Sequence, residues 1–377
     1  MIILKTAEFQ ETANTILSAV DSSELSQITE TLQLKVQDNF LYINVTNKEY
    51  YAQVKININN NEEFNATVNA NLFLKLVSQI TTEDISFELK DTYLQVIGNG
   101  VYKLPLIFDG EKLLELPEII INNPTCSMNI DSEILSSILK YNSKQLTIGS
   151  IKKPIQKFYY IDDKGAITFT SGGCVNSFAL EQPIRLLLNN KLVKLFKLFK
   201  SGNVAFTLGY DNLTNDIIQT KVMFETGDIK ITAILSCDDS MLNSFPVDAI
   251  RGRAEALYPY SVNINKDVLM QTINRLLLFS AGYGSKEIIK PYSTFKFSND
   301  KVTIFDAKNE NSEDIIYASA TNLSEDYEAI FDLVEIKAIL DTCVEQYLTI
   351  NFGDPKAMVI KRGNISNIIP TCGSRNG

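Results

Sequence analysis

Hydrophobic and polar positions along this chain change period, from a helical spacing to the alternation of strands, and do so in the same order three times. In the first block Asn71-Leu72-Phe73-Leu74-Lys75-Leu76 leads into the alternating runs Ile85-Ser86-Phe87-Glu88-Leu89 and Tyr93-Leu94-Gln95-Val96-Ile97. In the second, Asn190-Lys191-Leu192-Val193-Lys194-Leu195 leads into Val204-Ala205-Phe206-Thr207-Leu208 and then residues 217–224. In the third, Leu333-Val334-Glu335-Ile336-Lys337-Ala338 leads into Tyr347-Leu348-Thr349-Ile350-Asn351-Phe352 and Ala357-Met358-Val359-Ile360. The repeat is about 110 to 130 residues long, and residue identity between its copies is almost erased.

Each copy also has a first half, with a strand, a helix, a loop and a hairpin. The pattern predicts these at 2–5, 8–20, 31–37 and 41–46, then at 127–130, 132–141, 157–161 and 166–170, and finally at 260–264, 266–279, 293–297 and 302–305. Turns are expected at Asp38-Asn39, Asp163-Lys164-Gly165 and Asn299-Asp300. Asp131-Ser132 and Asn265-Lys266-Asp267 read as helix N-caps. Prolines at 117, 124, 246 and 259 mark the linkers, which places three domains at 1–118, 119–253 and 254–377. The expected class is α+β, with two helices packed on antiparallel sheet in each domain.

Composition excludes more than it selects. Histidine is absent from all 377 residues, which removes the commonest general base and metal ligand near neutral pH. The five cysteines (Cys126, Cys174, Cys237, Cys343, Cys372) are scattered and form no Cys-x-x-Cys pair, so neither a zinc site nor a disulfide framework is expected. Adjacent acids such as Asp162-Asp163, Asp238-Asp239 and Glu325-Asp326 sit near turns, and in a strand would point to opposite faces. Gly172-Gly173 and Gly282-Tyr283-Gly284 lack phosphate-loop spacing. The reading is of a non-enzyme without cofactor or metal. No apolar run reaches membrane-spanning length and the start lacks a secretory pattern, so a cytoplasmic protein is expected.

Charge separates the copies. Residues 1–118 carry 8 basic and 17 acidic groups, 119–253 carry 15 and 12, and 254–377 carry 12 and 16, giving net charges of −9, +3 and −4. An acidic protein can still bind nucleic acid if its positive groups gather on one surface. Residues 190–200 supply such a surface. At about 100° per residue, Lys191, Lys194, Lys197 and Lys200 spread over one arc, and Leu192, Val193, Leu195, Phe196 and Phe199 fill the other side. A flexible lysine stripe suits phosphate contact that reads no bases. The alternative is a solvated or membrane-surface helix. Lys140, Lys144, Lys152 and Lys153 add to the same domain, whereas Lys75, Lys266, Arg275 and Lys337 are the basic helix residues elsewhere.

The threefold repeat with two helices per copy resembles the bacterial DNA polymerase III beta subunit, the sliding clamp. Thr170-Ser171-Gly172-Gly173-Cys174-Val175 stands where that family has Thr-Asp-Gly-His-Arg-Leu, Phe245-Pro246 where it has Phe-Pro, and Ile368-Ile369-Pro370 where it has an apolar-Met-Pro run. The resemblance implies a head-to-tail homodimeric ring around double-stranded DNA, held without sequence preference, with partners in DNA polymerase and a clamp loader. It implies that the eleven basic residues Lys75, Lys140, Lys144, Lys152, Lys153, Lys191, Lys194, Lys197, Lys266, Arg275 and Lys337 face DNA. A partner-peptide cleft would involve Thr170, Gly172, Val175, Pro246, Arg251, Leu333, Ile368, Ile369 and Pro370. The dimer interface would pair Tyr102 and Leu104 with Leu278 and Phe279.

This chain departs from the family at Gly173 and Cys174, at the tail 371–377, and in the loop Asp21-Ser22-Ser23-Glu24, which lacks the family's arginine. A highly diverged clamp, of the sort a large bacteriophage would encode, fits these departures. The competing reading is a clamp-fold interaction scaffold that does not encircle DNA.

Overall fold

A computed structural model describes residues 1–16, 19–20, 27–47, 49–58, 64–148, 151–214, 217–235, 238–280, 291–306, 313–321, 323–354 and 356–372. Of the features read from the sequence, the loop at 21–24, Cys237, the Gly282-Tyr283-Gly284 stretch and the tail 373–377 lie outside those residues. The chain divides into two compact units, Met1–Ser136 with Leu188–Asp238, and Ser137–Leu187 with Asp239–Gly377. The copy expected at 119–253 contributes to both.

The repeat is finer than the sequence pattern predicts: a strand, a helix and three strands, present six times. The first copy runs β1 (Ile2–Lys5), α1 (Thr6–Ile16), β2 (Thr31–Gln37), β3 (Phe40–Thr46) and β4 (Tyr50–Asn57). It continues with β5 (Phe64–Asn69), α2 (Ala70–Ser78), β6 (Asp84–Leu89), β7 (Tyr93–Ile97) and β8 (Val101–Pro105). The short pair β9 (Phe108–Asp109) and β10 (Lys112–Leu113) follows in the linker. The second copy has β11 (Asn123–Asp131), α3 (Ser132–Ser137), α4 (Ser143–Thr147), β12 (Phe158–Asp162), β13 (Gly165–Phe169) and β14 (Gly173–Ser177). Its other half is β15 (Arg185–Asn189), α5 (Asn190–Lys194), β16 (Asn203–Thr214), β17 (Ile217–Glu225) and β18 (Ile229–Ile234). Linker helices α6 (Asp239–Ser244) and α7 (Val247–Glu255) lead to β19 (Tyr260–Asn265), α8 (Lys266–Ser280), β20 (Tyr292–Phe297), β21 (Lys301–Asp306) and β22 (Glu313–Tyr317). The chain closes with β23 (Ala320–Thr321), β24 (Tyr327–Asp332), α9 (Leu333–Leu340), β25 (Tyr347–Asp354), β26 (Ala357–Arg362) and β27 (Ile365–Pro370).

In each copy the two halves exchange their first strands: β1 pairs with β6 while β5 pairs with β2, and β19 pairs with β25 while β24 pairs with β20. Sheets from successive copies then join through their last strands. β18 pairs with β4 to give the order β11-β16-β17-β18-β4-β3-β2-β5 in the first unit. In the second, β14 pairs with β27 to give β15-β12-β13-β14-β27-β26-β25-β19-β23. Two four-stranded sheets, β1-β6-β7-β8 and β22-β21-β20-β24, remain unjoined, and their last strands β8 and β22 take no outer partner among the described residues.

Helix starts follow one chemical rule. The residue that ends the preceding strand is Asn69, Asp131, Asn189, Asn265 or Asp332, and its side chain accepts an N–H from the first turn at 2.8 to 3.1 Å. A short side-chain oxygen beside extended backbone reaches these otherwise unpaired donors. Lys5 holds the position before α1 and instead pairs with Glu83 at 2.7 Å. The turn at Asp38 and Asn39 has φ of 52° and 63°, the left-handed pair that closes a two-residue hairpin, here between Gln37 and Phe40.

Three element boundaries differ from expectation. α1 spans Thr6–Ile16 rather than 8–20. The helix expected at 132–141 runs on to Thr147 through a wider turn at Ile138–Asn142. That turn aims Asn142 into the interior, where its amide donates to Ala166 O at 3.3 Å and Cys174 O at 3.4 Å. The helix expected at 190–200 is α-helical only to Lys194 and tightens to a 3₁₀ turn over Leu195–Leu198. In the cores, Phe9 packs against Phe73 and Phe87 in the first unit, and Phe297 stacks on Phe352 at 3.9 Å in the second.

Candidate nucleic-acid surface and partner cleft

From Lys191 to Lys200 every third residue is an exposed lysine, and the residues between, Leu192, Val193, Leu195, Phe196, Leu198 and Phe199, are buried. A period of three is a poor match to an α-helix, on which each step drifts by about 60°. In a 3₁₀ turn residues three apart eclipse, so the tightening after Lys194 keeps its ammonium in line with that of Lys197. The charges crowd one another. Partial burial, then the ammonium groups of Lys200 and Lys194, hold Lys197 below its ordinary pKa. Lys200 lies 3.5 Å from Glu11 on α1.

The other basic residues are divided. Lys75, exposed on α2, shares the first unit with the lysine run, and the rest belong to the second unit. There Lys140 is exposed over the Tyr141 ring at 4.9 Å, and Lys152 and Lys153 are exposed beside Gln156, whose side-chain oxygen accepts both their backbone N–H groups. Acids already neutralise three of the set: Lys144 meets Asp341 at 3.9 Å, Lys266 meets Asp267 at 3.2 Å, and Arg275 meets Asp314 at 2.6 Å. Lys337 is half-buried on α9.

The structure brings all nine predicted cleft residues into the second unit, around the pairing of β14 with β27. Gly173 lies opposite Ile368 and Val175 opposite Ser366. α7 packs on both strands. Its Arg251 donates two hydrogen bonds to Asp162, of 2.7 and 2.6 Å. Pro246, just before α7, accepts the Ile250 N–H at 3.1 Å, and the neighbouring Phe245 stacks on Tyr160. Gly172 sits so close to the end of β27 that a Cβ there would meet Ile368 O at 2.3 Å and Glu335 Oε1 at 2.6 Å. Thr170 is tied down by Gln145 Nε2, at 3.1 Å from its hydroxyl, and by Gln156 Nε2, at 2.8 Å from its carbonyl. Burial sorts the nine. Thr170, Val175, Leu333, Ile368 and Ile369 lie inside, while Gly172, Pro246, Arg251 and Pro370 are half-buried at the surface. At the predicted interface Tyr102, Leu278 and Phe279 are exposed, the last two by 68% and 59%, whereas Leu104 is buried.

The description "DNA polymerase III beta subunit, N-terminal domain" belongs to the family model that matches residues 1–111. The beta subunit of Thermotoga maritima superposes with a TM-score of 0.78 at 15% identity, covering 99% of both chains. The whole chain has the clamp fold, and its residues 1–111 match the model of that family's N-terminal domain. The Pseudomonas aeruginosa sliding clamp bound to griselimycin gives 0.79 at 12% identity and the Bacillus subtilis clamp 0.76 at 13%, each again with 99% coverage both ways. Among curated proteins, no sequence relative is detected.

Two residues of this clamp fold escaped the sequence reading. Glu335, on the first turn of α9, is 4% exposed, and burial followed by the charge of Asp332 pushes its carboxyl up to about 7. Its spacing from Ile339 is the i, i+4 signal of an inward position, which an acid made easy to overlook. Arg362 is a buried guanidinium that bonds Cys343 Sγ at 2.8 Å and Asn367 Oδ1 at 2.9 Å and lies over the Tyr141 ring. No helix among the described residues is long and apolar enough to cross a membrane.

Proposed function

We propose that this chain is a DNA sliding clamp: two copies join head to tail into a ring that encircles duplex DNA and tethers the replicative polymerase. The observation that carries this reading is the pair of unjoined sheet edges. Every other last strand is paired with one from a neighbouring copy, β4 with β18 and β14 with β27. The same rule applied once more pairs β22 of one molecule with β8 of the next, and a heterologous contact of that kind closes a ring or extends a filament. Exposed Tyr102 on β8, Tyr317 on β22 and Leu278 and Phe279 on α8 supply apolar area for the joint.

In this reading the domains keep their boundaries at 1–118, 119–253 and 254–377, and the lysine run lines the hole. Lysines without base contacts hold phosphate at any register, so the barrier to sliding is small. Closure is topological and asks no tight affinity of the protein. The half-buried group Gly172, Pro246, Arg251 and Pro370 would meet a short apolar segment of polymerase or loader, and no reacting group is needed. The protein would work in the cytoplasm.

The acidic first copy, net −9, and the Glu11 partner of Lys200 favour the second reading, a scaffold of the same fold that does not surround DNA. Retention separates the two. A clamp loaded on nicked circular DNA stays until the circle is linearised and then slides off; a scaffold is lost from both forms alike.

A further inference from the structure

Gln33, Asn44 and Gln53 stand side by side on β2, β3 and β4, in one row across the sheet. Their side chains form a single run of amide hydrogen bonds. Gln53 Nε2 donates to Asn44 Oδ1 at 3.0 Å, Asn44 Nδ2 to Gln33 Oε1 at 3.2 Å, and Gln33 Nε2 to Asn65 Oδ1 at 2.9 Å. Gln53 Nε2 also donates to the Tyr51 hydroxyl at 3.1 Å. An antiparallel sheet commonly gives one face to water, yet on this face, away from core residues such as Leu34 and Ile43, Gln33, Asn44 and Tyr51 are only 6%, 3% and 3% exposed. The linker after β10 covers them. It is tied down where Thr67 Oγ1 donates to Leu114 O at 2.6 Å and where Lys230 meets Glu118 at 2.7 Å. Linker and sheet enclose a cleft of about 250 Å³, lined by the amide row and Tyr51, by Glu115 and Glu118 of the linker, and by Lys35 and Tyr42, which lie opposite one another on β2 and β3.

The row ends in an acceptor beside a donor. Among the described residues nothing donates to Gln53 Oε1, and the Tyr51 hydroxyl, which accepts from Gln53, keeps its own proton to give. Burial, then the charge of Glu118, raises the Tyr51 phenol, so it stays a neutral donor. An acceptor next to a donor matches the edge of a nucleobase, where an N–H neighbours a carbonyl or ring nitrogen. Amide side chains read base edges in this way, and aromatic rings give bases a face to stack on. Size and charge narrow the class. The cleft is smaller than the roughly 300–1,000 Å³ of sites for drug-sized ligands, which suits a base or a nucleoside. A phosphate there would meet two carboxylates against one ammonium.

We propose that this cleft binds a free nucleobase or nucleoside, held by Gln53 Oε1 and the Tyr51 hydroxyl with Tyr42 as the stacking face. The amide row fixes Gln53 and Tyr51 before the ligand arrives, so binding orders little that is not already ordered. All of these residues belong to the first compact unit. The site therefore acts whether or not the chain encircles DNA.

Saturation-transfer NMR on the full chain tests the site, with adenosine and uridine as probes and their monophosphates and glucose beside them. Saturable signals are expected from a nucleoside, weaker ones from its monophosphate and none from glucose. Tyr51→Phe, which removes only the hydroxyl, should raise the nucleoside Kd about tenfold, the effect of one lost hydrogen bond. Tyr42→Ala, at a half-buried position, should raise it by a similar factor through lost stacking. The proposal is overturned by no saturation from either nucleoside at millimolar concentration, by glucose signals equal to theirs, by monophosphates that bind more tightly, or by an unchanged Kd in either folded variant. If Tyr51→Phe does not fold, Tyr42→Ala decides.

Discussion

Arg251 on α7 grips Asp162 at the end of β12 through two hydrogen bonds, with the acid 8% and the guanidinium 16% exposed. Burial pushes the Asp162 carboxyl up, but Arg251 and the Lys164 amide outweigh it and hold the acid below its usual range. The fork fixes a linker helix to the strand layer it covers. Arg251→Ala is expected to destabilise the protein by about 2 kcal/mol, less than a fully buried pair because both partners touch solvent. Arg251→Lys should recover only part of this, since a point ammonium cannot make the two parallel bonds. Denaturant unfolding at neutral pH checks both.

The pH response of that pair follows from its sign. A carboxyl with a lowered folded-state pKa contributes stability that is complete above its unfolded value, about 4, and is lost as pH falls through the folded value. Wild-type chain should thus lose more stability than Asp162→Asn between pH 5 and pH 2. Parallel curves for the two proteins would remove the ion pair from the account.

Replacing Lys191, Lys194 and Lys197 by Glu reverses three exposed charges on a segment whose buried side is untouched. Thermal unfolding is expected to move little, because exposed charges contribute little to stability. Retention on nicked circular DNA should fall and polymerase processivity with it. Unchanged retention would separate the lysine run from DNA.

Phe279→Asp places a charge on an exposed apolar position of α8. The fold should survive, because the residue is not in the core. With two copies joined as proposed, sedimentation at micromolar concentration is expected to show a dimer for the native chain and a monomer for the variant.

Gly172→Ala must displace backbone, since the added carbon would fall 2.3 Å from Ile368 O and 2.6 Å from Glu335 Oε1. A loss of roughly 1 to 3 kcal/mol is expected, in the range of overpacked interiors. Gly110→Ala has open space around its Cβ and strains only a left-handed backbone, so it serves as the milder control on the same unfolding assay.

Most helices and half of the strands were legible because they rest on local rules. Asp131 and Asn265 marked helix starts before any contact was known, and Asp38-Asn39 marked a hairpin, because caps and turns are satisfied within a few residues. The third strand of each half was missed. Of these last strands, β4, β14, β18 and β27 take their outer partners from another copy, far away in the chain. The lysine run was read as one α-helix. Its period of three already pointed to the 3₁₀ turn that the packing of Leu195, Phe196 and Leu198 imposes.

By itself the sequence determined the threefold pattern, the two helices per copy, the acidic and basic division of the copies and the absence of histidine chemistry, since each depends on residue type and spacing alone. Only the tertiary structure decided that the halves exchange first strands, that β4 joins β18 and β14 joins β27, and that the last strands β8 and β22 take no outer partner among the described residues. It also placed Glu335 inside the protein and gathered the cleft residues at one seam. Strand partners and burial are set by segments far apart in the chain, and the free energy that chooses them is not written in any one segment.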